Sequence, residues 1–471
     1  MKTLKTDILV IGGGSGGLSV AAGAVQMGAR VVLLEGHKMG GDCLNYGCVP
    51  SKALLAVAAT AYGHSAGADM GILPMVPKSD YAKAKDFVAK VVAEIEPHDS
   101  VKRFEGLGVQ VIQEFGHFIS PTEVKAGETV ITARRIVVAT GSGPFVPPIP
   151  GLANVPFYTN ENIFNLRTKP DHLLVIGGGP VGMEMAQAHS RLGSAVTVIE
   201  GQKAFGKDDP ETASIVLQKL RDEGISIVED AFAENILGMA GDITVETSKG
   251  KFKGTHLLLA VGRKVNIEKL KLDAASIVHH RGGIKVDASL RTSNRRVYAI
   301  GDVAGGLQFT HVAGYHAGII IRSILFGLPS KAKVNHIPWS TYTEPELAQV
   351  GLTEVQAQSK FGARLEVVRF DFAGSDRAIA TGKTNGLIKV MIVKGRPVGA
   401  SIAGAGAGEL IGLWAMAIAN NLKMSAIAAT VLPYPSMGEI NKRIAGAYFS
   451  PKLFKSILVK RVVAFVQRFV S

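Results

Sequence analysis

The chain has 471 residues, too many for a single hydrophobic core, so several domains are expected. Hydrophobic residues make up 47% and charged residues 19%, a globular balance, and no run of about 18 uncharged apolar residues suggests a membrane span. The net charge of +13 raises the question of nucleic acid, but it is lopsided: after Glu439 come seven bases and no acid, and no zinc-finger or RNA-binding aromatic motif accompanies them, so no nucleic-acid partner is expected.

From the N-terminus, MKTLKTDILVIGGG shows no signal-peptide pattern, and a cytoplasmic location is expected. Asp7 to Ile11 reads as a strand running into Gly12, Gly14 and Gly17 at G-x-G-x-x-G spacing. A small-residue helix and a second strand ending in Glu35 follow. The first glycine makes the turn, the second admits a pyrophosphate, and the third lets helix and strand pack. The helix N-terminus offers N–H groups to the phosphates, and the acid accepts from a ribose diol. Both cysteines of the chain, Cys43 and Cys48, lie next, in GGDCLNYGCVPSK. RIVVATG (135–141) reads as a strand ending in a small-residue turn. The glycine unit then recurs, with Gly177, Gly179 and Gly182 before a closing Glu200. Two such units imply a flavoprotein that also takes a nicotinamide nucleotide. TSNRRVYAIGD (292–302) reads as a strand feeding Gly301 and Asp302, an acid placed to bind a ribityl hydroxyl.

With GGDCLNYGCVPSK, the ATG turn (139–141), AVGRKVN (260–266), AIGD (299–302), TYTEPELAQVGLTE (341–354) and AGAGAGELI (403–411), the chain resembles the FAD-dependent pyridine nucleotide–disulfide oxidoreductases over about residues 5 to 450. That group includes dihydrolipoamide dehydrogenase, glutathione reductase and mercuric reductase. The resemblance implies an α/β fold with two Rossmann-like dinucleotide-binding domains and a C-terminal α+β dimerisation domain. The implied ranges are 1–148 for FAD, 149–270 for NAD(P), 271–335 for the return to the FAD region, 336–450 for a homodimer interface and 451–471 for a tail. It implies FAD contacts from Gly12, Gly14, Gly17, Glu35, Gly41, Lys52, Gly116, Thr140, Gly141, Asp302 and Thr310, and nicotinamide-nucleotide contacts from Gly177, Gly179, Gly182, Glu200 and Gly262.

By the same resemblance Cys43 and Cys48 form a redox disulfide. Cys48 would face the flavin, Cys43 would be the more accessible thiol that exchanges with substrate, and Lys52 would pair with Glu184. The other readings are two buried free cysteines or a metal site, but zinc normally takes four ligands and only His37 is near, so no metal is expected. A disulfide needs Cα atoms within roughly 7 Å. Residues five apart on a helix point about 140° from each other, so the pair must sit on a turn leading into the helix read from SKALLAVAATAY. The start of that helix and Lys52 favour a thiolate. Electrons would pass from the nicotinamide through FAD to the disulfide, and on by way of a mixed disulfide. Glu200 accepts from a 2′-hydroxyl and repels a 2′-phosphate, which favours NADH over NADPH.

Two segments depart from the resemblance. Dithiol-handling members carry a histidine in HPTxxE as acid/base, oriented by the glutamate and donated by the partner subunit. Here YPSMGE places Tyr434 there, followed by Glu439. A tyrosine is a poor base at neutral pH but can donate a proton, and it can also simply fill space. Mercuric reductases carry a tyrosine at this place, yet also a C-terminal cysteine pair, and no cysteine follows Cys48. The expected activity is that of an NAD(P)H:disulfide oxidoreductase resembling dihydrolipoyl dehydrogenase, acting on a thiol or disulfide. The alternatives are a mercuric-reductase-like metal-ion or quinone reductase, and a low-turnover flavoprotein subunit or sensor. In the tail, taken as one helix from Ser450, Phe454, Leu458, Val462, Phe465 and Phe469 share a face, while Lys455 and Val463 spoil the separation from the basic side. Such a helix either lies on the inner face of an anionic membrane as a peripheral contact or docks on its own subunit or dimer partner.

Overall fold

The computed structural model describes every residue except Met1, Ala66, Ala68, Asp69, Pro74, Val76, Pro77 and Ser471. The chain forms two compact units, Met1–Gly201 with Ser226–Lys333, and Gln202–Ile225 with Val334–Ser471. Ser471, the last residue of the tail, lies outside the described residues.

In the first unit a parallel sheet runs in the order Gln110–Ile112, Val31–Leu34, Lys2–Ile11, Thr129–Val138 and Val297–Ala299. The stretches Ile8–Ile11, Val31–Leu34 and Ile136–Val138 are buried throughout, as parallel strands covered on both faces require. Gly116–Ser120 and Glu123–Ala126 add an antiparallel pair beside the first half of Thr129–Val138. A second parallel sheet has the order Ser226–Val228, Ala195–Ile199, His172–Ile176 and His256–Leu259. In each sheet the glycine motif joins a central strand to a helix, Ser15–Gln26 in one and Pro180–Arg191 in the other.

Three local expectations change. The first strand begins at Lys2 rather than Asp7, and Glu35 falls one residue beyond its strand. The strand expected over 292–302 shortens to Val297–Ala299. Its first half turns back instead: the Thr292 hydroxyl donates to the Asn294 carbonyl at 3.0 Å, and the Asn294 side chain accepts from the Arg296 amide at 3.0 Å. Such local bonds compete with strand pairing.

The second unit holds a five-stranded antiparallel sheet in the order Pro338–Thr341, Glu346–Gly351, Arg396–Gly404, Leu387–Val393 and Leu365–Asp371. Its core is anchored by the fully buried Trp414, whose indole donates to Asn441 at 2.8 Å. The helix Pro210–Asp222, inside the range 149–270, clusters with this unit. Lys389 Nζ, buried in the sheet, meets Asp209 at 2.5 Å, Glu211 at 2.8 Å and Glu354 at 2.9 Å, and Thr212 meets Ser401 at 2.6 Å. The tail is two helices instead of one. Glu439–Phe454 ends before Lys455, and Ser456 caps Ile457–Phe469 by accepting from the Val459 amide.

Candidate active site

The two glycine turns are built alike. Gly12 and Gly177 have φ of +111° and +112°, and a Cβ on either would lie 2.4 Å from the carbonyl oxygen of Ala139 or Ala260. Only glycine fits at both counts. Gly17 and Gly182 press against the turn itself, where a Cβ would come within 1.9 and 2.0 Å of the Gly12 and Gly177 carbonyls. Each closing acid braces its own turn: Glu35 accepts from the Gly13 amide and Glu200 from the Gly178 amide, both at 2.7 Å. Gly14 and Gly179 stand at the N-caps, and neither helix has a side-chain cap. Bare first-turn amides behind a close-approach glycine suit a pyrophosphate. The residues present therefore fit FAD at the first turn and a nicotinamide nucleotide at the second.

The remaining predicted cofactor residues divide. Gly41 has φ +60°, and a Cβ there would lie 2.8 Å from the Gly14 Cα, so its backbone borders the first turn. Thr140 is fixed by reciprocal bonds with Asn266, its hydroxyl donating to the Asn266 carbonyl at 2.7 Å, and Gly141 follows with φ +65°. Asp302 sits in the turn Gly301–Ala304 and accepts from the Ser142 hydroxyl at 2.5 Å. Burial raises its pKa, while Ser142 and Arg263 oppose the rise. Gly116 is buried within its strand, where a Cβ would strike Leu34 at 2.5 Å, so its visible role is packing. Gly262, with φ +127°, leads from the second sheet into Arg263–Val265.

The cysteines occupy two helices joined by a break. Cys43 lies in the short helix Gly41–Asn45, and Cys48 is the first residue of Cys48–Gly63, with Gly47 between as N-cap. This is the turn-into-helix arrangement, with the long helix starting three residues before the sequence reading placed it. Both are free thiols, Cys48 exposed and Cys43 half-buried. Cys48 Sγ lies 3.3 Å from the Thr310 hydroxyl, at the first turn of Thr310–Phe326. The Cys43 thiol beside it, then Thr310 and Lys52, pull the Cys48 pKa down to about 6 against burial. The same contact and burial push the Cys43 thiol far above its ordinary range. In the dithiol these influences favour the charge on Cys48 and the proton on Cys43.

Lys52, one turn on, donates to Glu184 at 2.7 Å, and the Glu184 side chain is only 5% exposed. The expected pair is in place. A network that sequence reasoning missed reaches the neighbour of Cys43. Arg263 Nη2 meets Asp42, the neighbour of Cys43, at 3.0 Å, and Arg263 Nε donates to Ser142 at 2.7 Å and lies 3.6 Å from Asp302. Asn160 donates to the other Asp42 oxygen at 2.9 Å. The signal was present in AVGRKVN, but nothing in the sequence named the partners.

Tyr434 and Glu439 belong to the second unit. The exposed Tyr434 hydroxyl donates to Asp376 at 3.0 Å, and Arg443 approaches the same carboxylate at 3.5 Å. The Tyr434 pKa is raised, chiefly by that bond. Among the described residues, Asp376 rather than Glu439 orients Tyr434. Glu439 opens the helix Glu439–Phe454.

A family model described as pyridine nucleotide-disulphide oxidoreductase matches residues 6–317, and the dimerisation domain of the same family matches 337–444. A mercuric reductase from Bacillus cereus is 32% identical over 443 residues, spanning 92% of this chain and 70% of that protein. A dihydrolipoyl dehydrogenase from Bacillus subtilis (strain 168) is 32% identical over 461 residues, spanning 94% and 96%. Among solved structures, the HOCl-induced flavoprotein disulfide reductase RclA from Escherichia coli superposes with a TM-score of 0.84 at 29% identity, covering 93% of this chain and 99% of that one.

Proposed function

Because this chain belongs to the pyridine nucleotide-disulphide oxidoreductase family, as an FAD-dependent, NAD(P)H-using oxidoreductase acting on sulfur groups, we propose that it takes its electrons from NADH and delivers them through Cys43 and Cys48 to an acceptor more electrophilic than an alkyl disulfide. The dimerisation domain makes it a homodimer. The observation that carries the proposal is the placement of the thiol pair: Cys48 opens a helix 3.3 Å from the Thr310 hydroxyl, and Cys43 beside it, with that hydroxyl and Lys52, lowers its pKa, while Cys43 has its own pKa raised.

When bound, FAD supplies the two-electron link between the nicotinamide and the disulfide. The chain does the rest. Reductive opening of the disulfide takes two electrons and one proton, and leaves a Cys48 thiolate and a Cys43 thiol. Lys52 and Thr310 stabilise the thiolate, and Glu184 holds the Lys52 ammonium in place. Transfer outward requires Cys43 to give up its proton as its sulfur attacks the acceptor. Tyr434 is poorly suited to take that proton, since Asp376 holds it as a donor. A weakly ionised attacking thiol favours a partner with an acidic leaving group. The Cys43 proton instead leaves on the departing thiolate, as the Cys48 thiolate closes the disulfide and expels the second thiolate, so the outward step returns the two electrons and one proton taken up on opening. Glu200 at the end of its strand supports NADH, because its carboxylate opposes a 2′-phosphate.

The test is an anaerobic acceptor panel with NADH: lipoamide, glutathione disulfide, an aromatic disulfide, Hg²⁺ and a quinone. The aromatic disulfide should give the highest kcat/KM, and Cys43→Ser should abolish it. Faster lipoamide turnover would remove the argument from Tyr434. Quinone turnover that dominates and survives Cys43→Ser would favour the diaphorase reading instead.

A further inference from the structure

The helix Ile457–Phe469 buries none of its residues in its own chain. Every described position from 457 to 470 is exposed except the half-buried Val459. At 100° per residue, Leu458, Val462, Phe465, Val466 and Phe469 fall on one side, Lys460 falls opposite it, and Arg461 and Arg468 flank it, while Ile457 and Val463 lie off the apolar face. The break at Ser456 takes Lys455 out of the helix, so the two faces separate more cleanly than a single helix from Ser450 would allow. Leu453 and Phe454, just before the break, are also exposed.

We propose that this helix docks in the plane of an anionic lipid bilayer, its apolar face among the acyl chains and its cations at the headgroups. Charge decides the occupant. The helix carries three cations, opposite and beside the apolar face, and no anion, and no acid occurs anywhere after Glu439. A continuous anionic surface suits that arrangement, whereas a protein surface carrying both signs does not. Among the described residues no helix is long and apolar enough to cross a membrane, so the contact is peripheral. The inference stands apart from the choice of acceptor.

The test is co-flotation of the dimeric holoenzyme with vesicles of phosphatidylcholine alone or mixed with phosphatidylglycerol. The full chain should float with the mixed vesicles only, and high salt should release it. Each cation near the surface contributes about fivefold in affinity, so Arg461→Gln with Arg468→Gln should weaken binding by roughly 25-fold. Phe465→Ser with Phe469→Ser should abolish it, as should truncation after Lys455. NADH-dependent turnover, unchanged in all three, reports intact folding. Equal flotation of full-length and truncated enzyme would overturn the proposal. So would failure of the full chain to bind mixed vesicles, or a truncation whose sole effect is a change of oligomeric state.

Discussion

Replacing Cys43 with alanine tests the charge split on which outward transfer depends. The Cys43 thiol is the largest influence lowering Cys48 to about 6; Thr310 and Lys52 follow, and burial and Asp42 oppose them. A hydrogen bond to a charged group contributes ~1.5–3 kcal/mol, and one pH unit corresponds to ~1.4 kcal/mol. Because Cys48 is exposed, the lower end applies. The Cys48 midpoint should therefore rise by about one pH unit in Cys43→Ala. Thiolate is present above the midpoint and lost as pH falls through it. At pH 6 about half of the wild-type Cys48 would be thiolate, against about a tenth in the variant. The assay is iodoacetamide alkylation of the reduced holoenzyme across pH, with the label on Cys48 located by peptide fragmentation. The rate at pH 6 should fall about fivefold, and the two proteins should converge in alkaline buffer. A midpoint that stays near 6 would show that Cys43 does not hold the thiolate, and the argument about the acceptor would fall with it.

Arg263→Gln leaves the Asp42 charge beside the thiols without its cation, so the Cys48 midpoint should rise in the same alkylation assay, while Arg263→Lys should restore most of it. Lys389→Met strips the buried Asp209 of its counter-ion and should cost ~3–5 kcal/mol in urea unfolding, much of it recovered by adding Asp209→Asn. Glu200→Gln keeps an acceptor for the Gly178 amide but removes the charge, so the KM for NADPH should fall about tenfold or more with that for NADH little changed. An unaltered NADPH KM would mean that the 2′ group lies elsewhere.

Legibility from sequence followed the range of the interaction that fixes each feature. The glycine turns could be read because steric demands within one strand–turn–helix unit dictate residues such as Gly17, which faces Gly12, and Gly182, which faces Gly177. Glu35 and Glu200 could be placed at the close of each unit for the same reason, and the structure has each brace its own turn, a role that spacing alone did not reveal. The Lys52–Glu184 pair came from resemblance, since 132 positions separate its members. Thr310 was named for the cofactor, yet its visible contact is with the Cys48 sulfur, 262 positions away. Asp376, which decides what the Tyr434 hydroxyl can do, lay in no recognised motif. These are the groups that set protonation at the site. A motif can specify that two cysteines sit at a helix start. The charge at Cys48 responds to Thr310, Lys52 and Asp42, and the Asp42 carboxylate is in turn paired with Arg263, contacts that only the folded chain makes. On the proposed function, acceptor preference is therefore to be sought in residues outside the motif that identifies the family.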